Sequence, residues 1–286
     1  MKEKIAIQGI KGSFHHAVAM DYFSPEVTLE ECLSFDAVVE ALLSGKVKQA
    51  VMALENSIAG SIIPNYALID HNNLTIVGEY NLNIHHNLMA LEGQGIEELT
   101  EVHSHPMALL QCKAFFKQYP HIKLIEAADT ADVARKISEE KLLGIAAIAP
   151  KEAAHIYGLN LLATSIQTIK NNVTRFVVVQ PKNGALAKDQ VNKASLKFVL
   201  DHQRGSLAAV LNVMSDCLLN LTKIQSLPVI ETPGKYAFFV DMTFDTYEQY
   251  DKARKILAIM ALEFKILGEY YIFPTRRSSD HRKSVV

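Results

Sequence analysis

The chain has 286 residues, 49% hydrophobic and 21% charged, with a formal net charge of −2: enough for two or three domains, with no basic footprint for nucleic acid and no polybasic membrane face. No apolar run approaches the roughly 20 residues that span a bilayer, and Met1 to Ile7 carry no signal-peptide pattern. Cys32, Cys112 and Cys217 are far apart without a C-x-x-C, so neither a disulfide framework nor a zinc site is expected, and a reducing cytoplasm fits best.

Lys4 to Gln8 reads as a buried strand running into Gly9 to Phe14, with Ser13 a candidate cap for a helix through Ala19. A glycine-containing turn between strand and helix presents unpaired N–H groups to an anion, which makes Lys11, Gly12 and Ser13 candidate substrate contacts. It is not G-x-G-x-x-G, so a dinucleotide fold is disfavoured. Asp36 to Leu43 has helical spacing, and Gln49 to Leu54 is a buried strand delivering Glu55-Asn56-Ser57 and Gly60. Open α/β sheets place ligand contacts at such carboxyl ends. Pro64 suits the first turn of the next helix.

Leu74 to Val77 and Ile84 to Ala90 read as strands crossing into a second lobe. Glu101 to His103 is a short strand, and Ser104 is the expected N-cap of the helix through Cys112. Gln111, two turns beyond Ser104, would face the same cleft. His103 and His105 form an H-x-H pair, but no local Asp, Glu or Cys completes a ligand set, so no metal is expected. Lys123 to Glu126, Thr130 to Glu139, Gly144 to Ala149 and Lys151 to Tyr157 continue a βαβα alternation, and Ala163 to Gln167 leads back.

Asn171-Asn172 reads as a turn feeding the buried strand Val177 to Val179. Thr174 and Arg175 sit at its entrance, bringing together a hydroxyl and a guanidinium fork suited to carboxylates. The return strand makes the first lobe discontinuous, about 1–78 with 168–180, around a second lobe at about 79–167, with one interlobe cleft. Residues 181–193 read as a linker. Beyond it, residues 194–272 read β-α-β-β-α-β: strands Ser195 to Leu200, Leu221 to Ser226, Tyr236 to Met242 and Lys265 to Ile272, helices Gly205 to Leu218 and Tyr247 to Ala261. The open edges of such a unit favour a homodimer or homotetramer. Residues 273–286 break pattern, and Pro-Thr-Arg-Arg-Ser-Ser-Asp resembles a translated sequencing adapter, so a non-native tail is expected there.

Gly9 to Phe14, Glu55-Asn56-Ser57 with Gly60, Ser104-His105-Pro106 with Gln111-Cys112, and Thr174-Arg175-Phe176 together resemble prephenate dehydratase in its form with a C-terminal ACT regulatory domain. The resemblance runs from Lys4 to about Gly268. It implies an α/β fold: a two-lobed, periplasmic-binding-protein-like catalytic domain at 1–180 and a βαββαβ, ferredoxin-like ACT domain at 194–272. It also implies cofactor-free, decarboxylating dehydration of prephenate to phenylpyruvate in L-phenylalanine biosynthesis.

By the same resemblance Thr174 is the residue most tied to activity, joined by Glu55, Ser104 and Gln111 as catalytic candidates. Asn56, Ser57, Arg175, Phe176, Lys11, Gly12 and Ser13 are the substrate-binding candidates. Losing carbon dioxide and hydroxide makes an aromatic ring, so neutral donors suit the reacting end and a salt bridge to the departing carboxylate would be counterproductive. Arg175 or the Gly12-Ser13 amides suit the retained pyruvyl carboxylate, and Glu55 is an acid candidate if burial raises its pKa. The effector stretches depart from the family. Gly205-Ser206-Leu207 and Gln225-Ser226-Leu227-Pro228 stand where Gly-Ala-Leu and Glu-Ser-Arg-Pro are usual, which predicts weak or differently built phenylalanine feedback. Arogenate dehydratase and a non-catalytic amino-acid-binding sensor are the competing readings.

Overall fold

A computed structural model describes residues 4–182, 187–229, 232 and 235–272. The chain forms two compact units, residues 1–183 and 184–286. The expected tail at 273–286 lies outside the described residues.

The first unit opens with β1 (Lys4–Gln8), α1 (Phe14–Tyr22), β2 (Thr28–Cys32), α2 (Phe35–Leu43), β3 (Gln49–Asn56), β4 (Gly60–Ser61), α3 (Ile63–His71) and β5 (Leu74–Asn83). It continues with β6 (Asn87–Ala90), β7 (Glu101–Ser104), α4 (Pro106–Cys112), β8 (Lys123–Glu126), α5 (Thr130–Glu140), β9 (Ile145–Ala149), α6 (Lys151–Tyr157), β10 (Asn160–Ala163) and β11 (Val173–Pro181). In β1 and β3, Ile5 to Ile7 and Ala50 to Leu54 are buried without alternation, as strands covered on both faces require. β2 has no such run. It is an edge strand whose Glu30 ion-pairs with Lys4 and Lys46, so its hydropathy does not announce it.

Within this unit the first lobe's strands lie in the order β5-β11-β3-β1-β2 and the second lobe's in the order β10-β6-β9-β7-β8. β1 runs parallel to β2 and β3, while β11 returns antiparallel between β3 and β5. Only residues 84–86 and 164–172 cross between the lobes. These crossings are bonded side by side: Ile84 N–H donates to Asn172 O at 2.7 Å and Ile166 N–H to His86 O at 2.8 Å. Gln167, fully buried, clasps both. Its Oε1 accepts from His86 N at 3.0 Å and its Nε2 donates to Ile84 O at 3.1 Å.

In the second unit, β12 (Lys193–Val199), α7 (Ser206–Asp216), β13 (Asn220–Pro228), β14 (Tyr236–Thr243), α8 (Tyr247–Met260) and β15 (Glu263–Tyr270) give the expected βαββαβ order. Its antiparallel strands lie β13-β14-β12-β15, and Leu196, Phe198, Val240 and Met242 pack against Val210, Met214 and Leu257 of the helices. The stretch read as a linker is partly strand: Pro181 ends β11, Lys193 opens β12, and Lys188–Gln190 forms a 3-10 turn. Among the described residues no helix is long and apolar enough to cross a membrane.

Candidate active site

The cleft between the lobes of the first unit encloses about 620 Å³, within the range of small-ligand sites. Ser13 and Phe14 at the start of α1, Ala53 and Asn56 on β3, and Thr174 and Phe176 on β11 line its first-lobe wall. His105, Gln111 and Asp129 line the opposite wall. The register of β11 on β3 explains the first wall. Thr174 faces Asn56 and Arg175 faces Glu55, but Phe176 faces Ala53, so Leu54 is bulged out. The bulge re-aims the strand and brings Ala53 round to the cleft beside Asn56.

One hydrogen-bond chain ties the two walls together. Asn56 Oδ1 accepts from the N–H groups of Ile58 and Ala59 at 3.0 and 2.9 Å, which fixes which end of the amide carries the hydrogens. Its Nδ2 then donates to Asn172 Oδ1 at 2.6 Å and Thr174 Oγ1 at 2.8 Å. Asn172 Nδ2 donates to Gln111 Oε1 at 2.8 Å, and the same oxygen meets His86 Nε2 at 2.9 Å. Burial lowers the His86 pKa, so the ring is neutral, with its proton on Nε2 toward that oxygen. The polarity has a chemical consequence. Thr174 Oγ1 accepts from Asn56 and so has its own hydrogen to give, and Gln111, with its oxygen taken twice, keeps its Nε2 hydrogens for a ligand.

Phe176 supplies an apolar floor, 2% exposed. His15 meets it edge-on, with ring centroids 5.0 Å apart, and touches Phe35 at 5.5 Å. His15 Nε2 accepts from Ala53 N at 3.3 Å, and burial drives its pKa down to about 3. No Lys or Arg lines the cleft among the described residues. Favourable potential for an anion comes instead from helix starts capped by Ser13 and Ser34, where first-turn N–H groups lack intrahelical acceptors. Asp36 and Asp129 are the carboxylates in the lining, and burial raises the Asp129 pKa.

Thr174, Gln111, Asn56, Phe176 and Ser13 thus meet at one cavity, as the sequence reading expects. Several other candidates do not. Arg175 alternates to the far face of the sheet, where its Nε pairs with Glu79 Oε2 at 2.7 Å; strand period two separates it from Thr174. Glu55 shares that far face by register and is absent from the cleft lining. Ser104 is wholly buried in the second lobe, donating to Ile148 O at 2.6 Å. The helix cap expected of it belongs to His105, whose Nδ1 accepts from Met107 N. Ser57 Oγ accepts from Val173 N at 2.9 Å and anchors β11.

The Gly12-Ser13 amides are spent internally, on His16 Nδ1 at 3.0 Å and Ile10 O at 3.1 Å. Lys11 is exposed, with its N–H on Glu31 and its carbonyl accepting from Tyr157 Oη at 2.7 Å. Gly12 is needed for shape: at φ +88, a Cβ there would lie 3.0 Å from Ala153 Cα of the other lobe. His103 pairs with Glu101, and among the described residues no cluster of three or more His, Cys, Asp or Glu could hold a metal. Gly205 to Leu207 open α7, and Gln225 to Pro228 end β13. Sequence reasoning missed Asn172, His86, His15 and Asp129. Asn172 was legible as polar but read as a turn, and isolated histidines carry no period.

A two-lobed α/β unit with a polar-ended, apolar-floored cleft, followed by a βαββαβ unit, defines a small-molecule-handling protein of bilobal type. A family profile described as prephenate dehydratase matches residues 5–184. Arogenate dehydratase/prephenate dehydratase 2 of Arabidopsis thaliana is 35% identical over 95% of this chain and 74% of its own length. The chain belongs to the prephenate dehydratase family, which are lyases. Among solved structures, the Arthrobacter aurescens prephenate dehydratase in complex with L-Phe superposes with a TM-score of 0.84 at 24% identity, over 99% of this chain and 92% of that one. A chain described as a quorum-quenching acylase superposes with a TM-score of 0.86, also at 24% identity, over 96% and 100%. Both likenesses speak to the shared fold.

Proposed function

We propose that the chain converts prephenate to phenylpyruvate, carbon dioxide and water, the dehydratase step toward L-phenylalanine. The observation that carries this is the polarity of the chain from His86 through Gln111, Asn172 and Asn56 to Thr174, which leaves neutral donors at a cleft whose lining, among the described residues, has no Lys or Arg. In the reaction the bond from the ring carbon to its carboxylate breaks, its electron pair enters the ring, and the opposite carbon–oxygen bond breaks. The departing oxygen takes a proton and leaves as water. Aromatisation supplies the drive, so the protein needs chiefly to orient the ring and assist the leaving hydroxyl.

Thr174 is the donor assigned to that hydroxyl, with Gln111 beside it, and Phe176 supports the ring. Neutral donors hold the departing carboxylate without a salt bridge that would stabilise the ground state. The first-turn amides of α1, at Phe14 and His15, take the retained side-chain carboxylate in place of Arg175. The reading extends to 1–180 as the catalytic domain and 194–272 as an ACT regulatory domain responding weakly to L-phenylalanine, in a cytoplasmic homodimer or homotetramer. Purified protein incubated with prephenate, without cofactor, should release equimolar phenylpyruvate and carbon dioxide. Absence of both products would remove the reading.

A further inference from the structure

We propose that Asp129 decides between keto and amino substrates: its carboxylate holds the ammonium of arogenate, which has an amine where prephenate has its side-chain ketone. This rests on the reading that Thr174 meets the leaving hydroxyl.

Asp129 stands on the β8–α5 turn in the cleft lining. Its Oδ1 is committed to its own helix, accepting from Asp132 N at 2.9 Å. Oδ2 is turned across to the first lobe. A Cβ built on Gly9 would lie 3.1 Å from Asp129 Oδ2 and 3.3 Å from Ser13 Oγ, so this oxygen, the Ser13 side chain and the start of α1 are neighbours. That is the arrangement an α-amino acid needs, because its carboxylate and ammonium share one carbon. The α1 amides suit the first and Asp129 the second. Asp36, the other carboxylate of the lining, is exposed to solvent. No Lys or Arg is in the lining among the described residues, and the imidazole of His105 lies near enough to Asp129 to act on its charge. Burial already disfavours its charged form, and a substrate ammonium would reverse that.

The length of the cleft suits this role. Extending the register of β1 on β3 sets Gly9 level with Ala53, and Ala53 faces Phe176. Gly9 is therefore two strand spacings across and two residues along from Thr174, about 12 Å away backbone to backbone. In arogenate the leaving oxygen and the amino nitrogen are about 7 Å apart by ordinary bond lengths. A hydrogen bond of about 2.8 Å at each end brings the span to about that separation. One molecule can thus span from Thr174 to the Gly9 end of the cleft, where Asp129 Oδ2 lies.

The test is kcat/KM for arogenate and for prephenate, measured on the wild-type chain, Asp129→Asn and Asp129→Ser. Both replacements can still cap α5, and unfolding midpoints check that they do. Wild type should turn over arogenate. Either variant should lose about 10- to 100-fold in arogenate kcat/KM, chiefly through KM, while prephenate kcat/KM rises a few-fold as a negative charge leaves the site of a dianion. An equal fall for both substrates, or an arogenate value that does not fall, overturns the proposal. So does a wild type that accepts prephenate and refuses arogenate, and that result leaves the dehydratase reading intact. A wild type inert toward both removes the two together.

Discussion

Replacing His15 by Gln should flatten the acid side of the stability profile. His15 is buried against Phe35 and Phe176, with Nε2 accepting from Ala53 N, and its pKa falls from 6.5 to about 3 in the folded chain. A group whose folded pKa is depressed binds its proton mainly in the unfolded state. Its contribution is therefore complete above pH 6.5 and drains away as pH falls toward 3. Between pH 8 and pH 5 the loss from this one ring is about 2 kcal/mol. Gln offers Ala53 N an acceptor and has no proton to gain. Urea unfolding of both proteins at several pH values across that interval measures the difference directly. His16 and His86, which are also depressed, are common to both proteins and cancel. The two curves should converge as pH falls, with the variant closing about 2 kcal/mol of any gap it shows at pH 8. Parallel curves would refute the claim that His15 is held neutral beneath the cleft.

Gln167→Ala should strand His86 N and Ile84 O between the lobes. The expected cost is about 2–4 kcal/mol, a fall of roughly 5–15 °C in unfolding midpoint, together with reduced kcat/KM from loosened crossings; an unchanged midpoint would contradict the clasp. Arg175→Ala should cost about 3–5 kcal/mol by leaving Glu79 with a lost buried partner, while the folded protein keeps its KM for prephenate. A raised KM at native stability would instead return Arg175 to the substrate.

Strand and helix order was largely legible because each buried run, β1, β3 and β9 among them, is apolar without interruption. The edge strand β2 and the short β10 were not, since their stability comes from neighbours. β5 runs on to Asn83 beyond the expected Val77, paired along its length with β11. At the site, Thr174, Asn56 and Gln111 were legible through their motif. Strand alternation, equally present in Thr-Arg-Phe, should have sent Arg175 to the other face. Ser104 failed for another reason: Ser and His both cap helices here, and the start of α4 lies one residue later than the motif suggests. Gln167 carries no local signal at all. Its meaning comes from two crossings more than 80 residues apart in sequence lying together.

The most direct test compares Thr174→Val with Thr174→Ser in steady-state turnover of prephenate. Val keeps the shape and removes the hydroxyl to which Asn56 donates. If that donor acts in the transition state, Val should lose about 100- to 1000-fold in kcat with KM within a few-fold, and Ser should retain most activity. A natively folded Val variant turning over within about fivefold of wild type would contradict the assignment on which the mechanism stands.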